Sequence, residues 1–326
     1  MKGILMKHFC VLGSINMDLV TTFERFPRPG ETLQGRSFAI LPGGKGANQA
    51  VALARLGARV EMIGAIGDDI LGAGYEEVFD GLGIGREGVE TVVGRPTGTA
   101  SIQVDGRGEN TIIVVAGANE TVTPARVESM RARIEGAAAL LLQLEIPIES
   151  VVAAARIASG AGVPVILDPA PARALPDELY PLLTVITPNQ TEAALLSGAD
   201  TESEEGIARA GVALKLRGAG FAVIKAGARG AYIAEVGGTR RVPGFAVTVV
   251  DTVAAGDSFN AGLAFALYAD PSPIADPSNL EAAIRFANAV AALSTTKAGA
   301  QGAMPKAEEA LSLMGARGHA GLSSPA

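Results

Sequence analysis

Two hydrophobic patterns alternate along the chain. Short apolar runs predict buried strands at residues 9–12, 60–66, 139–144, 163–167, 185–187 and 222–225. In the longer stretches between them, apolar residues recur every three to four positions and predict helices at residues 46–56, 74–82, 150–159, 191–197, 206–216, 257–268 and 279–295. Strands that alternate with helices are typical of βαβ units. We therefore predict the α/β fold class, with a mostly parallel central sheet flanked by helices.

Two stretches, residues 18–40 and 97–115, do not follow this rhythm. Both show more alternation of apolar and polar positions, and the second contains Asp105-Gly106 between β-branched runs, which indicates a hairpin. We interpret them as one small antiparallel sheet beside a main α/β domain. That domain then comprises residues 1–17, 41–96 and 116–314. Residues 270–278, with three prolines, are predicted to form a surface loop, and residues 315–326 a disordered tail.

Composition restricts the chemistry that the chain can perform. Its 326 residues include 27 Lys and Arg against 34 Asp and Glu, and the net charge of −7 disfavours nucleic acid as a partner. Cys10 is the only cysteine, which excludes an intramolecular disulfide and a Cys-rich metal site. His8 and His319, the only histidines, lie near the two ends, which argues against a His-based zinc site or a Ser-His-Asp triad. The chemistry must therefore rest on carboxylates, amides, lysines and backbone groups.

No segment has the character of an export signal or a membrane span. The first apolar run stops at Gly13, and the longest runs, residues 137–142 and 261–269, are far shorter than a membrane helix. We therefore expect a cytoplasmic protein with no membrane partner. Without export, the Asn-x-Thr triplets at Asn119 and Asn189 are not glycosylation sites.

One glycine-rich motif is a weak signal. Gly83, Gly85 and Gly88 match the G-x-G-x-x-G fingerprint of dinucleotide-binding proteins, which needs a strand before it and a helix after it. Here a predicted helix precedes the motif and a strand near residues 91–93 follows it. We interpret the motif as a helix-to-strand turn.

The segment 42–50, Pro-Gly-Gly-Lys-Gly-Ala-Asn-Gln-Ala, is more informative. It is not a Walker A loop, because Ala39 occupies the first glycine position and Gly46 replaces the Ser or Thr after Lys45. Its glycines let a ligand approach the backbone at the start of a predicted helix, where N–H groups are free. Asn48, in the first turn, can reach the same ligand. The alternative is a tight helix-entry turn with no ligand.

The segment 251–260, Asp-Thr-Val-Ala-Ala-Gly-Asp-Ser-Phe-Asn, gives the strongest signal. Ala254, Ala255 and Gly256 clear space at a predicted helix N-terminus, so that successive N–H groups can hold developing negative charge. Asp257 then lies in the first turn of that helix, where an anion is expected. It could instead be a simple capping residue, but two such anion sites in one chain favour the functional interpretation.

These two segments resemble the two signatures of the ribokinase-like carbohydrate kinases. The resemblance continues, in the same order, through three further segments: residues 11–18, 27–32 and 297–301. It covers roughly residues 9–305, with an apparent insertion near residues 271–279. It implies a doubly wound, ribokinase-like α/β domain in which the small sheet of residues 18–40 and 97–115 is a lid. Because the lid forms the dimer contact in this family, the resemblance also implies a homodimer.

The activity implied by the resemblance is ATP-dependent phosphorylation of D-ribose at O5, which gives D-ribose 5-phosphate and ADP. Mg²⁺ would accompany ATP, and K⁺ would be an activating cation. Three alternatives stay open: a kinase for another sugar or nucleoside of the same superfamily, a non-catalytic sugar-binding protein, and a dinucleotide oxidoreductase. The low aromatic content, with no Trp and only four Tyr, disfavours a base-stacking nucleoside pocket. A sugar-binding protein would not explain Asp257 beside an anion hole, and the oxidoreductase rests only on the glycine motif.

The resemblance also implies roles for residues on the sugar side. Six residues would bind the sugar hydroxyls: Asn16, Asp18, Gly44, Lys45, Asn48 and Glu145. Asp257 would bind the sugar too, and as the catalytic base it would take the proton of the terminal hydroxyl as that oxygen attacks the γ-phosphoryl group. The backbone N–H groups of Ala254, Ala255 and Gly256 would form the anion hole. Amides and carboxylates suit a polyol because together they supply donors and acceptors.

On the nucleotide side, the resemblance implies ten ATP contacts: Asn189, Glu192, Lys225, Ala226, Gly227, Ala228, Arg229, Gly230, Gly256 and Asn288. Glu192 would bind Mg²⁺ through water molecules. The implied ligands of the monovalent cation are Asp251, Val253, Ser294, Lys297, Gly299 and Ala303. Two positions depart from the family pattern. Lys225 stands where Thr is usual, and Ala303 lacks a hydroxyl that is often found there, which predicts a weakened cation site.

Overall fold

The structure, a computed structural model, describes residues 7–235, 238–274, 276 and 279–316. These residues form thirteen strands: β1 (Phe9–Leu12), β2 (Asn16–Thr22), β3 (Ser37–Gly43), β4 (Val60–Gly67), β5 (Gly85–Val92), β6 (Gly98–Val104), β7 (Asn110–Val115), β8 (Leu140–Leu142), β9 (Val165–Leu167), β10 (Val185–Ile186), β11 (Phe221–Lys225), β12 (Ala231–Glu235) and β13 (Gly238–Val242). The same part of the chain forms ten α-helices: α1 (Lys45–Arg55), α2 (Ile70–Leu82), α3 (Pro124–Ser129), α4 (Arg131–Glu135), α5 (Ile148–Gly160), α6 (Gln190–Ser197), α7 (Glu204–Leu216), α8 (Ala255–Tyr268), α9 (Leu280–Ser294) and α10 (Ala307–Ala316).

Nine strands form the main sheet in the order β13-β12-β11-β10-β9-β8-β1-β4-β5. In sheet order, all neighbouring strands from β11 across to β5 are parallel. At one edge, β12 pairs antiparallel with β11, and β13 pairs antiparallel with β12. The sheet is therefore mostly parallel, as predicted. Its order reverses beside β1, because the chain builds outward through β4 and β5 and then returns to β8. In such sheets ligands bind outside the carboxyl ends of the strands at the point of reversal.

Two hydrophobic clusters cover the two faces of this sheet. In β1, Phe9 and Val11 belong to one cluster and Cys10 and Leu12 to the other, as strand alternation requires. Helices α1, α8 and α9 contribute to the first cluster, and α5 contributes to the second. A sheet covered on both faces explains why its strands read as continuous apolar runs.

The remaining four strands form a small sheet in the order β3-β2-β6-β7. Its outer pairs are antiparallel, and the predicted hairpin is confirmed: the Asp105 carboxylate accepts from the N–H groups of Arg107 and Glu109. The central pair, β2 and β6, is parallel, so the prediction of a wholly antiparallel sheet was wrong. The chain returns to the main sheet between β3 and β6. Strands β2 and β6 therefore both leave the main domain in the same direction.

Some elements differ from the sequence prediction or were missed by it. The β12–β13 pair and helices α3, α4 and α10 were not predicted. Gly315, assigned to the tail, lies in α10, and residues 317–326 of the predicted tail lie outside the described residues. Residues 1–6, 236 and 237 of the predicted main domain and positions 275, 277 and 278 of the predicted loop also lie outside them.

Two findings bear on the functional expectations. Gly83 ends α2 in the left-handed conformation, with φ of 65°, and β5 begins at Gly85. The glycine motif is therefore a helix-to-strand turn, as interpreted. Among the residues that the structure describes, none of the helices has the length and apolar character needed to cross a membrane.

Candidate active site

A cavity of about 920 Å³ lies beside the carboxyl ends of β9, β10 and β11. Most residues predicted for the nucleotide side and the catalytic centre line it: Asn189, Glu192, Lys225, Gly227, Ala228, Gly230, Ala254, Ala255, Gly256, Asp257 and Asn288. Lys45, predicted to bind the sugar, lines it too. Asp168, which follows β9, lines it as well. Ala226 and Arg229 of the predicted ATP loop are not among the lining residues. The cavity thus collects groups that are far apart in sequence.

Glu145, just after β8, gathers polar groups near the end of β1. Its Oε2 accepts from the Ser14 hydroxyl, from the backbone N–H of Lys45 at 3.1 Å and from Nδ2 of Asn16 at 3.4 Å. Asn119 orients Asn16 by donating its Nδ2 to Asn16 Oδ1 at 2.7 Å. Three residues predicted to bind sugar, Asn16, Lys45 and Glu145, therefore lie together at the point where the strand order reverses.

Asp18 reaches the same region from strand β2 of the small sheet. Asp18 is 9% exposed. Burial raises the pKa of its carboxyl to about 7, with smaller contributions from the charges of Glu145 and Asp257. Gly43, on the neighbouring strand β3, leaves room for this carboxylate, since a Cβ at Gly43 would lie 2.3 Å from Asp18 Oδ2. The small sheet thus brings a carboxylate into the field of those held by the main domain.

Close backbone contacts explain the glycines at the start of α1. Gly44 has a φ of 85°, and a Cβ there would lie 2.6 Å from the Asn16 nitrogen. A Cβ at Gly46 would lie 2.6 Å from the carbonyl carbon of Gly13. The helix can therefore begin directly against the end of β1. This contact brings Lys45 close to Glu145.

Asp257 lies in the first turn of α8 and is 5% exposed. Nδ2 of Asn48 donates to its Oδ2 at 3.0 Å, and Nε2 of Gln49 donates to its Oδ1 at 3.2 Å. Burial raises the pKa of Asp257 to about 6, while the Lys45 charge lowers it and that of Asp168 raises it. A carboxylate with a raised pKa is a stronger base than an ordinary aspartate and is better suited to accept a proton. Helix α8 has no side-chain cap, so the capping interpretation of Asp257 has no support in the geometry.

The backbone before Asp257 is strained. Ala254 has a φ of 59°, and within the described ranges it is the one residue other than glycine with positive φ. An L side chain in the left-handed region costs energy, and such residues concentrate at functional sites. This turn lets α8 begin at the cavity wall, which Ala255 and Gly256 line.

The ammonium group of Lys45 lies in the field of four carboxylates: those of Asp257, Asp168, Glu145 and Glu192. Burial alone would lower the pKa of Lys45, but these carboxylates together outweigh burial and raise it. Lys45 therefore stays charged and partly neutralises the acidic groups around it.

Asn189 and Glu192 form the capping box of α6. The Glu192 carboxylate accepts the Asn189 N–H at 2.8 Å, and Oδ1 of Asn189 accepts the Glu192 N–H at 2.8 Å. Burial raises the pKa of Glu192, and the charge of Lys225 acts against that rise. Asn288 lies farther along the cavity wall and donates its Nδ2 to the Val242 carbonyl at 3.1 Å.

Comparison with known proteins decides the family. The model of the pfkB family carbohydrate kinases matches residues 6–307, nearly the whole described chain. The chain belongs to the pfkB family of carbohydrate kinases. The resemblance noted in the sequence is therefore confirmed.

The kinase is similar to ribokinases in sequence and in fold. It is 42% identical over 308 residues to the ribokinase of Haemophilus influenzae, covering 94% of this chain and 98% of that one. It is 41% identical over 309 residues to the ribokinase of Bacillus subtilis, covering 95% and 100%. The solved structure of Arabidopsis thaliana ribokinase complexed with ribose and ATP has a TM-score of 0.87 and 33% identity, covering 95% and 99%. These similarities confirm the ribokinase-like α/β fold and the prediction of a carbohydrate kinase.

Three of the predicted cation ligands, Asp251, Val253 and Gly299, are joined by hydrogen bonds near the start of α8. Oδ1 of Asp251 accepts the Val253 N–H at 3.0 Å, and Oδ2 accepts the Gly299 N–H at 2.9 Å. The Thr295 carbonyl accepts the N–H of Asp251 at 3.2 Å. Ala303 is buried and is the last residue of the 3₁₀ turn Gln301–Ala303. Asp251 thus ties the loop before α8 to the segment after α9.

Sequence analysis missed two residues of the kinase's site. Asp168 is 2% exposed, and its carboxylate accepts Nζ of Lys225 at 2.8 Å and Nε2 of Gln49 at 3.3 Å. Gln49, 1% exposed, therefore joins Asp168 to Asp257. An acidic residue at the carboxyl end of a predicted parallel strand was a usable signal for Asp168. Gln49 offered no signal beyond its place next to Asn48.

Proposed function

We propose that this kinase transfers the γ-phosphoryl group of ATP to O5 of D-ribose, giving D-ribose 5-phosphate and ADP. The observation that carries the proposal is the position of Asp257. This buried carboxylate accepts a hydrogen bond from Asn48, a predicted sugar ligand, and also lines the large cavity. The ribokinases among its relatives, one of them solved with ribose and ATP, support the choice of substrates.

Six residues bind the sugar in this proposal: Asn16, Asp18, Gly44, Lys45, Asn48 and Glu145. A site whose buried groups hydrogen-bond to substrate hydroxyls rejects analogues without them, because its own polar groups are then left unpaired. Glu145 illustrates the point, since its carboxylate already accepts from Ser14 and Asn16 and has capacity for a sugar hydroxyl. We therefore expect ribose to be preferred to deoxyribose.

The chemical step is an in-line displacement. O5 of ribose forms a bond to the γ-phosphorus, the bond from that phosphorus to the β–γ bridging oxygen breaks, and ADP leaves with the electron pair. Asp257 takes the proton of the O5 hydroxyl, an assistance typically worth about 10²–10⁴-fold in rate. The N–H groups of Ala254, Ala255 and Gly256 hold the charge of the transferred group.

The large cavity receives ATP. In this proposal ATP contacts ten residues: Asn189, Glu192, Lys225, the loop residues Ala226, Gly227, Ala228, Arg229 and Gly230, and also Gly256 and Asn288. In the described residues no three His, Cys, Asp or Glu side chains are grouped to hold a metal. This fits Mg²⁺, which binds mainly through substrate phosphates, water and one or two carboxylates. Glu192 is the carboxylate that would hold its water shell, and Mg²⁺ would supply charge neutralisation at the phosphates.

A monovalent cation, K⁺, completes the site in this proposal. Its ligands are the Asp251 carboxylate together with oxygen atoms of Val253, Ser294, Lys297, Gly299 and Ala303. Oxygen ligands suit a hard cation, and the loop that contains Asp251 and Val253 leads directly into the proposed anion hole at Ala254. A cation there would stabilise that loop electrostatically. Ala303 supplies no hydroxyl, so we expect weak binding of K⁺.

We further propose that the kinase is a homodimer formed through the small sheet and that it works in the cytoplasm, where ATP is available. Cross-strand register puts Phe38, Ile40, Ile113 and Val115 on one face of that sheet, opposite to the face of Asp18. Each of the four side chains is at least half exposed. Contiguous apolar surface of this kind marks interaction sites in soluble proteins.

An ADP-release assay with ribose, deoxyribose, fructose and adenosine tests the proposed activity. We expect the highest kcat/KM with ribose. A higher kcat/KM with fructose or adenosine would indicate another kinase of the superfamily. Binding of ribose without ADP release from any of the four would indicate a non-catalytic sugar-binding protein.

A further inference from the structure

Lys225 ends strand β11 and extends a positive charge towards the anion hole. Its backbone N–H donates to the Pro188 carbonyl at 2.8 Å, which fixes the end of the strand. Its Nζ lies 2.8 Å from Oδ1 of Asp168. A Cβ at Gly256 would lie 3.4 Å from the same Nζ, so the ammonium is next to the N-terminus of α8.

The pair formed by Lys225 and Asp168 is buried, with side chains 13% and 2% exposed. Burial of an ion pair in place of apolar groups of similar volume brings little or no stability, because both charges lose their hydration. The pair therefore needs a reason other than folding. Its position on the wall of the nucleotide cavity offers one.

The donors of Lys225 are incompletely used. An ammonium group has three N–H donors, and within the described residues Asp168 is the hydrogen-bond partner that the structure gives to this one. Oδ2 of Asp168 accepts from Gln49, which holds the carboxylate from the other side. The ammonium is thus anchored at one donor and has two left for a ligand in the cavity.

We infer that Lys225 is a catalytic residue that binds the terminal phosphate of ATP, and that Asp168 is its positioning residue. This inference rests on the proposed function for the presence of ATP in the cavity. As O5 attacks and the β–γ bridging bond breaks, the negative charge on the phosphate oxygens is shared by the N–H groups at the start of α8 and by the Lys225 ammonium. Asp168 holds the ammonium at the anion hole, and Gln49 holds Asp168 in register with Asp257.

Three variants separate this role from a structural one: Lys225→Met, Asp168→Asn and the double variant. Lys225→Met leaves the Asp168 charge buried without an ionic partner, which lowers stability for that reason alone. The double variant removes both charges, so its fold does not suffer from an unpaired one. Lys215→Met is the matched control. That lysine lies on α7, and its Nζ is 6.0 Å from the centroid of the Phe221 ring.

Binding is measured by titration calorimetry without sugar, using the β,γ-imido analogue of ATP and, separately, adenosine. We expect Lys225→Met and the double variant to bind the analogue about 10- to 100-fold more weakly, the usual effect of losing a charge-assisted hydrogen bond. Adenosine, which has no phosphate, should bind as it does to the wild type. Asp168→Asn should keep its affinity for the analogue but lower kcat, since the ammonium is present and no longer held in place.

Analogue affinities within twofold of the wild type for both Lys225→Met and the double variant would overturn the inference. So would an equal loss for adenosine, which would point to general damage to the cavity. These outcomes are distinct from failure of the proposed function. If ribose is not phosphorylated but analogue affinity falls with Lys225, only the ribose assignment fails, whereas a wild-type protein that binds no nucleotide overturns both.

Discussion

Acidic side chains dominate the interior of the site, and the charges of Lys45 and Lys225 partly compensate for their burial. Asp257 is held from two sides, by the amide groups of Asn48 and Gln49. These hydrogen bonds favour its ionised form, while burial favours the neutral form. On balance the pKa of Asp257 stays raised, which makes its carboxylate a stronger base than an ordinary aspartate.

Asp257→Asn keeps the shape of the side chain and removes its ability to accept a proton. We expect kcat to fall by about two to four orders of magnitude, the usual size of general-base assistance. Ribose and ATP should still bind, and the fold should survive because Asn is well tolerated near a helix N-terminus. Steady-state kinetics and binding titrations on the purified variant give both quantities.

The matched control is Asp69→Asn, because Asp69 caps α2 by accepting the Gly72 N–H. That substitution also exchanges a carboxylate for an amide at a helix N-terminus, and turnover should stay near the wild-type value. If Asp257→Asn retains more than about a tenth of the wild-type kcat, the general-base role is wrong.

Asp18 provides a test of stability against pH. Its pKa is raised to about 7 in the folded protein by burial and by the neighbouring carboxylates, whereas in the unfolded chain it is about 4. Above pH 7 the carboxyl is ionised in both states, so the folded state bears the full penalty. Between pH 7 and pH 4 that penalty shrinks, because the folded state takes up a proton and loses its buried charge while the unfolded state is still largely ionised.

Asp18→Asn should therefore stabilise the kinase without substrates more at pH 8 than at pH 5. We expect the two stability gains to differ by at least about 1 kcal/mol, since one pKa unit corresponds to about 1.4 kcal/mol. Urea unfolding at both pH values measures this, and ribose affinity should fall in parallel. An equal or smaller gain at pH 8 would contradict the raised pKa of Asp18.

Among the elements, helix α1 packs closely against the end of β1 because residue 46 is a glycine and has no side chain. Gly46→Ala would bring a Cβ to 2.6 Å from the Gly13 carbonyl carbon, and backbone at this contact cannot swing away as a side chain could. We expect a loss of about 1–3 kcal/mol in the free energy of unfolding, as for other overpacked sites. Urea unfolding gives the value.

Gly81→Ala is the control for that substitution. Gly81 lies in α2, and a Cβ there meets no atom within 4 Å. Alanine is the better helix former, so a gain of about 0.5–1 kcal/mol is expected. Equal effects of the two substitutions would show that the contact between α1 and β1 is not as close as described.

The loop before α8 is the second element with a testable role. Hydrogen bonds join Val250 and Asp251 to the Thr295 carbonyl, so the loop is attached to the end of α9. If K⁺ binds here, activity should be higher in potassium than in sodium buffer. Ala303→Ser should lower the potassium concentration needed for half-activation, because the serine hydroxyl supplies the missing oxygen ligand. Gly302→Ser is the control, because a Cβ at Gly302 meets no atom within 4 Å, and it should leave that concentration unchanged. Identical activity in both buffers would argue against a functional site.

How far the sequence predicts these elements depends on how local their signals are. The parallel strands were found because β1 and its neighbours are buried on both faces and therefore continuously apolar. The parallel pairing of β2 with β6 was not predicted. It depends on where the chain re-enters the main sheet, and no residue of either strand encodes that point of re-entry. Asn48 and Asp257 were found through motifs, whereas the bridge from Gln49 to Asp168 joins positions 119 residues apart and exists only in the folded chain.

At the scale of the whole molecule, the small sheet is incompletely buried. All six residues of β7 are exposed, as are the first five of β3. A four-stranded sheet with apolar residues on both faces needs cover on each, and the main domain faces the side of Asp18. A second copy of the chain would cover the other face, and a stable interface of that kind buries about 1,200–2,000 Å² in total.

The double variant Phe38→Glu/Ile113→Glu places two like charges on that outer face, where the exposed fractions of the native side chains are 62% and 64%. Burying either glutamate in an interface is costly without a partner charge, so sedimentation velocity should show a dimer for the wild-type kinase and a monomer for the variant. The control, Val93→Glu/Leu216→Glu, changes two apolar side chains that are each 83% exposed and lie outside the small sheet, and it should remain dimeric. A monomeric wild type, or a variant that still dimerises like the control, would mean that the outer face of the small sheet is not the subunit interface.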